Sequence, residues 1–152
     1  MERVVRHFQE ELGVLQERLL AMGGFAEERV RESVLGLASR DAALVDRVLA
    51  GDEPINDLHI EIDDRCFKLL ALHQPMAADL RAIVAAVKIN TDLERVGDLA
   101  VNIAEAAKRY LLHAPVKPLI DIPRMGDIAQ RMLRDALDAF VRRDIALAES
   151  VL

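Results

Sequence analysis

The chain has no tryptophan, one tyrosine and four phenylalanines, so aromatics make up only 3% of its 152 residues. A core must then be built from Leu, Val, Ile and Ala, the usual filling of helical bundles. Apolar residues reach 52%, enough for one hydrophobic core and part of another. The single cysteine, Cys66, excludes an internal disulfide and a cysteine-based zinc site, and it fits a reducing compartment. No apolar run approaches the roughly 18 residues that cross a bilayer. Residues Ala82–Val87 form the longest clear one, so no direct membrane insertion is expected. Met1-Glu2-Arg3-Val4 lacks an apolar signal core, and the expected compartment is the cytoplasm. Basic clusters are missing too. The net charge is −6 and no Lys/Arg group stands clear of neighbouring acids, which gives nucleic-acid binding no electrostatic support. Charged residues at 30% beside so high an apolar fraction argue against disorder.

What is there is helical periodicity. Val5, Phe8, Leu12, Leu15, Leu19, Met22, Ala26, Val30 and Leu37 recur at alternating spacings of about three and four. Gly23-Gly24 interrupts the pattern, at a propensity cost on the order of 2 kcal/mol against alanine. Ser39-Arg40-Asp41 marks a boundary, with Asp41 as the next N-cap. A second helix is expected from about Asp41 to about Leu72, weakest at Gly51-Asp52-Glu53-Pro54, with Ile55, Leu58, Ile62, Cys66 and Leu69 as its apolar stripe. Pro75 suits the first turn of a third helix, roughly Met76 to Leu112. The loop His113–Pro118 follows as a linker. A fourth helix at about Ile122 to Arg142 and a fifth starting at Asp144 complete the chain.

An internal repeat organises these elements. Met22-Gly23-Gly24-Phe25-Ala26 returns as Met125-Gly126-Asp127-Ile128-Ala129, an offset of 103 residues. The same offset lays Arg40-Asp41-Ala42-Ala43-Leu44 on Arg143-Asp144-Ile145-Ala146-Leu147, and 10 of 28 ungapped positions are identical. The expected fold is all-α: a three-helix bundle over residues 1–113, followed over 119–152 by the beginning of a second, duplicated bundle. By that period, counterparts of the second helix's later half and of the third helix are expected after Leu152. The apolar face of an orphan helix pair needs a cover, so a partner chain, most simply a homodimer, is expected.

The third helix holds the chemistry. Ala82, Ala86, Ile89, Leu93, Val96, Ala100, Ile103 and Ala107 trace one arc, expected to be core. Another arc carries Leu80, Ile83, Val84 and Val87, then switches to Asn90, Thr91, Glu94, Asp98, Asn102 and Glu105. Glu94 and Asp98 are one helical turn apart and can share a cation. His59 and Asp63 on the second helix repeat that spacing, with Asp52 and Asn56 near the same line. The two helices meet across a short turn and pack antiparallel, which sets the pairs at similar heights. Acidic pairs side by side repel unless cations or solvent compensate. Glu94, Asp98, Asp63 and His59 are the candidate metal ligands, and Asn102, Glu105 and Asn56 extend the same face. Such oxygen-rich ligands with one imidazole suit iron, manganese, zinc or magnesium, and spacing does not choose among them.

Other chemistries find less support. A ferritin-like centre needs Glu-x-x-His pairs, whereas the residue three before His59 is Asn56. Gly23-Gly24 lacks the Lys-Ser/Thr of a phosphate-cradling loop. His7, His73 and His113 read as surface residues, Met22, Met76, Met125 and Met132 as core filler, and Cys66 as a small buried hydrophobe.

The run Leu93–Glu105 resembles the signature of the PhoU family, regulators of bacterial phosphate uptake. Arg40-Asp41 followed by Val48-Leu49-Ala50-Gly51-Asp52, Gln74-Pro75 followed by Ala78-Asp79-Leu80-Arg81, and Met22-Gly23-Gly24 fall where the family has similar runs. The resemblance implies two three-helix bundles side by side, with metal on one face held by paired acidic x-x-x-Asp motifs. Glu94 and Asp98 fill one motif. Asp63 fits the other, in which His59 stands where the family usually has Glu. The role it implies is a metal-binding, non-enzymatic adaptor that restrains the phosphate-starvation response, contacting the phosphate transporter's ATPase subunit and the sensor histidine kinase. Two other readings remain open: a metal-dependent hydrolase or redox enzyme with a carboxylate-bridged centre, and a bundle that merely oligomerises behind a hydrated acidic face.

Overall fold

The computed structural model describes residues 2–51 and 53–152, with the side chains of residues 2–5 left out of the account. Among the described residues every regular element is helical: α1 (Glu2–Ser39), α2 (Ala42–Leu49), α3 (Glu53–His73), α4 (Ala77–Leu111), α5 (Asp121–Arg142) and α6 (Ile145–Val151). The all-α expectation holds.

α1 runs unbroken through Gly23-Gly24. Gly23 is not a break but a point of close approach, because a Cβ there would collide with the Leu137 side chain of α5. The expected second helix divides into α2 and α3 around Ala50-Gly51. Pro75 lies in the turn ahead of Met76, the residue preceding α4, and not in the helix's first turn.

Leu15, Leu19, Met22, Ile55, Ile62, Ile83 and Leu93 are fully buried where α1, α3 and α4 meet. A second cluster joins Val45 and Val48 of α2 to Ala104 and Ala107 of α4. α4 buries Ile83, Ala86, Asn90, Leu93, Gly97, Ala100, Ala104 and Ala107, a three–four alternation that keeps one seam turned inward. Five of those eight positions are Ala or Gly, which lets neighbouring helices approach closely.

This stripe corrects the two-arc reading. Ile83 and Asn90 belong to the core, while Ala82, Ile89, Val96 and Ile103 are half-buried. Among the methionines Met22 is core, but Met76, Met125 and Met132 are exposed. Cys66 is fully buried, and His7 and His113 are exposed, as expected.

The two helix corners 103 residues apart share their geometry. Arg40 (φ 57°) and Arg143 (φ 56°) take the left-handed conformation that ends a helix. The Asp41 N–H then donates to the Gly36 carbonyl at 3.0 Å, and the Asp144 N–H to that of Ala139 at 2.9 Å. Asp41 and Asp144 each cap the next helix, accepting from Leu44 N–H and Leu147 N–H at 3.0 Å. Their surroundings differ. Val45 and Val48 are buried, but their counterparts Ala148 and Val151 are not.

Candidate functional site on the α3–α4 seam

Asn90 fixes the seam. Fully buried on α4, it donates through Nδ2 to the His59 carbonyl and to Asp63 Oδ1, both at 2.9 Å. The bond to Asp63 sets the register of the antiparallel pair, so Glu94, one turn beyond Asn90, comes level with His59. Asp98 comes level with Ile55, a further turn away.

His59 and Asp63 are half-buried, with Nε2 and Oδ2 3.9 Å apart. Glu94 is half-buried on the facing helix, while Asp98, Asn102, Glu105 and Asn56 are exposed. Glu105 points along its own helix to Arg109 at 4.0 Å. Asp52 lies outside the described residues. The structure thus brings His59, Asp63 and Asn90 together, sets Glu94 opposite, and leaves the other candidates along the outer flank.

Among the described residues no group of three or more His, Cys, Asp or Glu side chains is close enough to hold a metal ion. As it stands the seam offers a two-group His–Asp pair. Such a pair fits a cation that keeps several waters better than a closed tetrahedral cage. On this seam two buried atoms have no hydrogen-bond partner, His59 Nδ1 and Asn90 Oδ1. Buried polar atoms are normally satisfied, so orphans on one seam mark the place where water, an ion or a small rotation completes the network.

Sequence reasoning missed the inward position of Asn90. The signal was present, because residue 90 lies on the same three–four row as Ile83, Ala86, Leu93 and Gly97. Burial, and after it the neighbouring Asp63 carboxylate, pushes the Cys66 thiol behind the seam up to about 11.

The helical corners and the polar seam define a class, that of antiparallel α-bundle proteins built from a repeated helix–corner–helix unit. The PhoU domain description matches residues 19–107 and 122–152. The chain is 42% identical over 151 residues to the phosphate-specific transport system accessory protein PhoU homolog of Caulobacter vibrioides, covering 99% of this chain and 66% of the relative. The homolog from Aquifex aeolicus is 36% identical over 142 residues, covering 93% of this chain and 64% of its own length. The crystal structure of PhoU from Pseudomonas aeruginosa superposes with a TM-score of 0.88 at 38% identity, covering 94% of this chain and 69% of that one. The chain belongs to the PhoU family. It spans less than two thirds of the length of these curated relatives.

Proposed function

We propose that this chain serves as an accessory protein of phosphate-specific transport, working by binding and not by catalysis. The observation that carries this reading is the 42% identity, over 99% of the chain, to a relative named for that role. In this reading it acts in the cytoplasm as a negative regulator of the phosphate-starvation response, contacting the transporter's ATPase subunit and the sensor histidine kinase. No helix among the described residues is long and apolar enough to cross a membrane, which suits a partner that docks on membrane proteins from outside the bilayer. The deciding experiment expresses the chain in a bacterium lacking its own accessory protein and follows a phosphate-starvation promoter reporter. Restored repression in phosphate-rich medium is expected. A reporter that stays fully on, with the protein present and folded, would overturn the regulatory role.

Metal binding is the second part of the proposal. His59 and Asp63 are the inner ligands, Glu94 reaches across from α4, and Asp98, Asn102, Glu105 and Asn56 border the entrance. Iron, manganese, zinc and magnesium all suit this mix of carboxylates and one imidazole. The orphaned His59 Nδ1 and Asn90 Oδ1 support the placement. Elemental analysis of protein purified without chelator should find substoichiometric or full metal, lost in His59→Ala/Asp63→Ala. Metal retained in that variant would move the site elsewhere.

Homodimerisation is the third part. Met125, Ile128, Met132 and Ile145 are exposed on α5 and α6. The corresponding corner of α1 and α2 is covered by α4, and a second copy would supply similar cover. Light scattering should give twice the chain mass, falling to a single chain in Met125→Lys/Ile145→Lys. A monomeric wild-type chain at 100 μM (a concentration of about that order resolves micromolar dimers) would remove this part alone.

A further inference from the structure

The corner that ends α5 and opens α6 is a copy of one that already holds a helix. In the first repeat, Leu37, Val45, Val48 and Leu49 form an apolar seat that Ala104 and Ala107 of α4 fill. A shift of 103 residues turns that seat into Phe140, Ala148, Val151 and Leu152. All four line an open groove of about 650 Å³ between the α5–α6 corner and the first turns of α4. The polar partners recur as well. Arg40 donates to the carbonyls of Leu111 and His113 at the end of α4, and Asp46 accepts from Lys108 at 2.8 Å. Their images, Arg143 and Glu149, have no side-chain partner among the described residues. A repeat that cannot bury its apolar face alone buries it against the next helix in the series.

Direction follows from the same copy. α1 and α4 end together at the Arg40 corner, so a helix seated on the second corner ends at Arg143 and runs parallel to α5. α5 is antiparallel to α1, so that helix is antiparallel to α4 and meets its first turns, where Ala78, Ala82 and Ala85 line the groove. Alanines four and three apart form one low ridge that admits a neighbouring helix closely. Arg81 lines the same end. Arg81 and Arg143 therefore flank the carbonyl end of the incoming helix, where its dipole is negative. Of the acids at the corner, Asp144 is spent on capping α6, and Glu149 is left to meet a base, as Asp46 does.

We propose that this groove seats the C-terminal end of a helix of α4's own pattern, presented by another polypeptide. That pattern is two small residues three apart, a basic residue directly after the second, and last carbonyls taken by Arg143. Helix-in-groove recognition of this kind uses an apolar seat for affinity and the charges for direction. It also gives a use to an arginine held at φ 56°, where glycine carries less strain. The inference rests on the binding role proposed above and goes beyond its dimer part, because a second copy has its own α4 already seated.

The test uses the full chain and a fluorescent, acetylated and amidated peptide of its residues 94–113. Saturable binding is expected, with amide-exchange protection on residues 78–85 and 140–152. Arg143→Gly should weaken it at least about tenfold, a loss of about 1.4 kcal/mol, while the free chain melts no lower. Val151→Lys should abolish it, and circular dichroism checks that this variant is folded. Glu149→Lys should weaken binding severalfold, and a peptide carrying Lys108→Glu should restore it, as a double-mutant cycle requires of a direct pair. Unchanged affinity in Arg143→Gly and Val151→Lys, no rescue by the charge swap, or protection at residues 37–49, where the peptide would be displacing α4, would each overturn the proposal. So would no binding at about 1 mM peptide. Light scattering separates the readings: a monomer that binds the peptide removes the dimer alone. A chain that represses the reporter but never binds the peptide keeps its regulatory role and loses this groove.

Discussion

Gly23 on α1 and Leu137 on α5 interlock so closely that a Cβ on the glycine would collide with the Leu137 Cδ1. The reciprocal contact, Gly126 against Val34, has the same partners shifted by 103 residues, with a Cβ on Gly126 falling 3.0 Å from Val34. Along α1 the partners rise in number while along α5 they fall, so the helices are antiparallel about a local two-fold. Arg134 reaches Glu27 between the two contacts.

Gly23→Ala is expected to lose about 1 kcal/mol net, because overpacking of about 1–3 kcal/mol exceeds the roughly 1 kcal/mol gained in helix propensity. In a Leu137→Ala background the same change should become stabilising. Gly24, with open space around its Cα, should gain from alanine in either background. Urea midpoints of the four-variant cycle check the reversal of sign, and an unchanged sign would mean that the two helices do not meet there.

Asn90→Ala should cost about 1–3 kcal/mol, since it strips a donor from the part-buried His59 carbonyl and from Asp63. Asn90→Asp should cost more near neutral pH, because it sets a second carboxylate against Asp63. Thermal unfolding of both variants tests the order. A neutral Asn90→Asp would mean that the seam is wetter than its burial indicates.

Arg40 and Arg143 share a left-handed conformation but not a role within the chain itself. The Arg40 guanidinium donates to the carbonyls of Leu111 at 3.0 Å and His113 at 2.7 Å, and stacks 5.4 Å from the Tyr110 ring. Arg143→Gly should therefore stabilise the chain by up to about 1 kcal/mol through relief of backbone strain. Arg40→Gly should destabilise it, because the same relief is outweighed by the lost tether to the end of α4. Equal effects from the two variants, read from melting curves, would contradict the assignment.

Cys66 should resist thiol reagents at pH 8 in the native chain and react fully in urea. Its folded-state value of about 11 lies above that of an exposed thiol. The contribution of the buried thiol to stability is thus complete below about pH 8.5, and it fades as pH rises toward 11 because the unfolded chain ionises first. Cys66→Ser or Cys66→Ala should remove that alkaline component from the pH–stability curve.

Most helices and their ends were legible in the residues, but the division of the expected helix over 41–72 into α2 and α3 was not. The three–four apolar rows, the capping aspartates 41 and 144 and the proline linker at 115–118 are local signals, and local hydrogen bonding decides them. The family was legible from short runs such as Leu93–Glu105. The seam was only half legible. His59 and Asp63 are a turn apart on any helix, so their proximity needed no fold, and the level of Glu94 followed from a short antiparallel turn.

Sequence by itself determined that this chain is all-helical, aliphatic in its core and built on a 103-residue repeat, because periodicity and capping act within a few residues. Only tertiary structure decided which way α4 is rotated. A rotation of about half a residue step, roughly 50°, carried Ile83 and Asn90 inward beside Ala86 and Leu93. That rotation depends on close packing against α1 and α3, where the volumes of Leu19, Met22 and Ile62 select the row that fits. It turned Asn90 from an acid's neighbour on an open face into the buried clamp that holds Asp63.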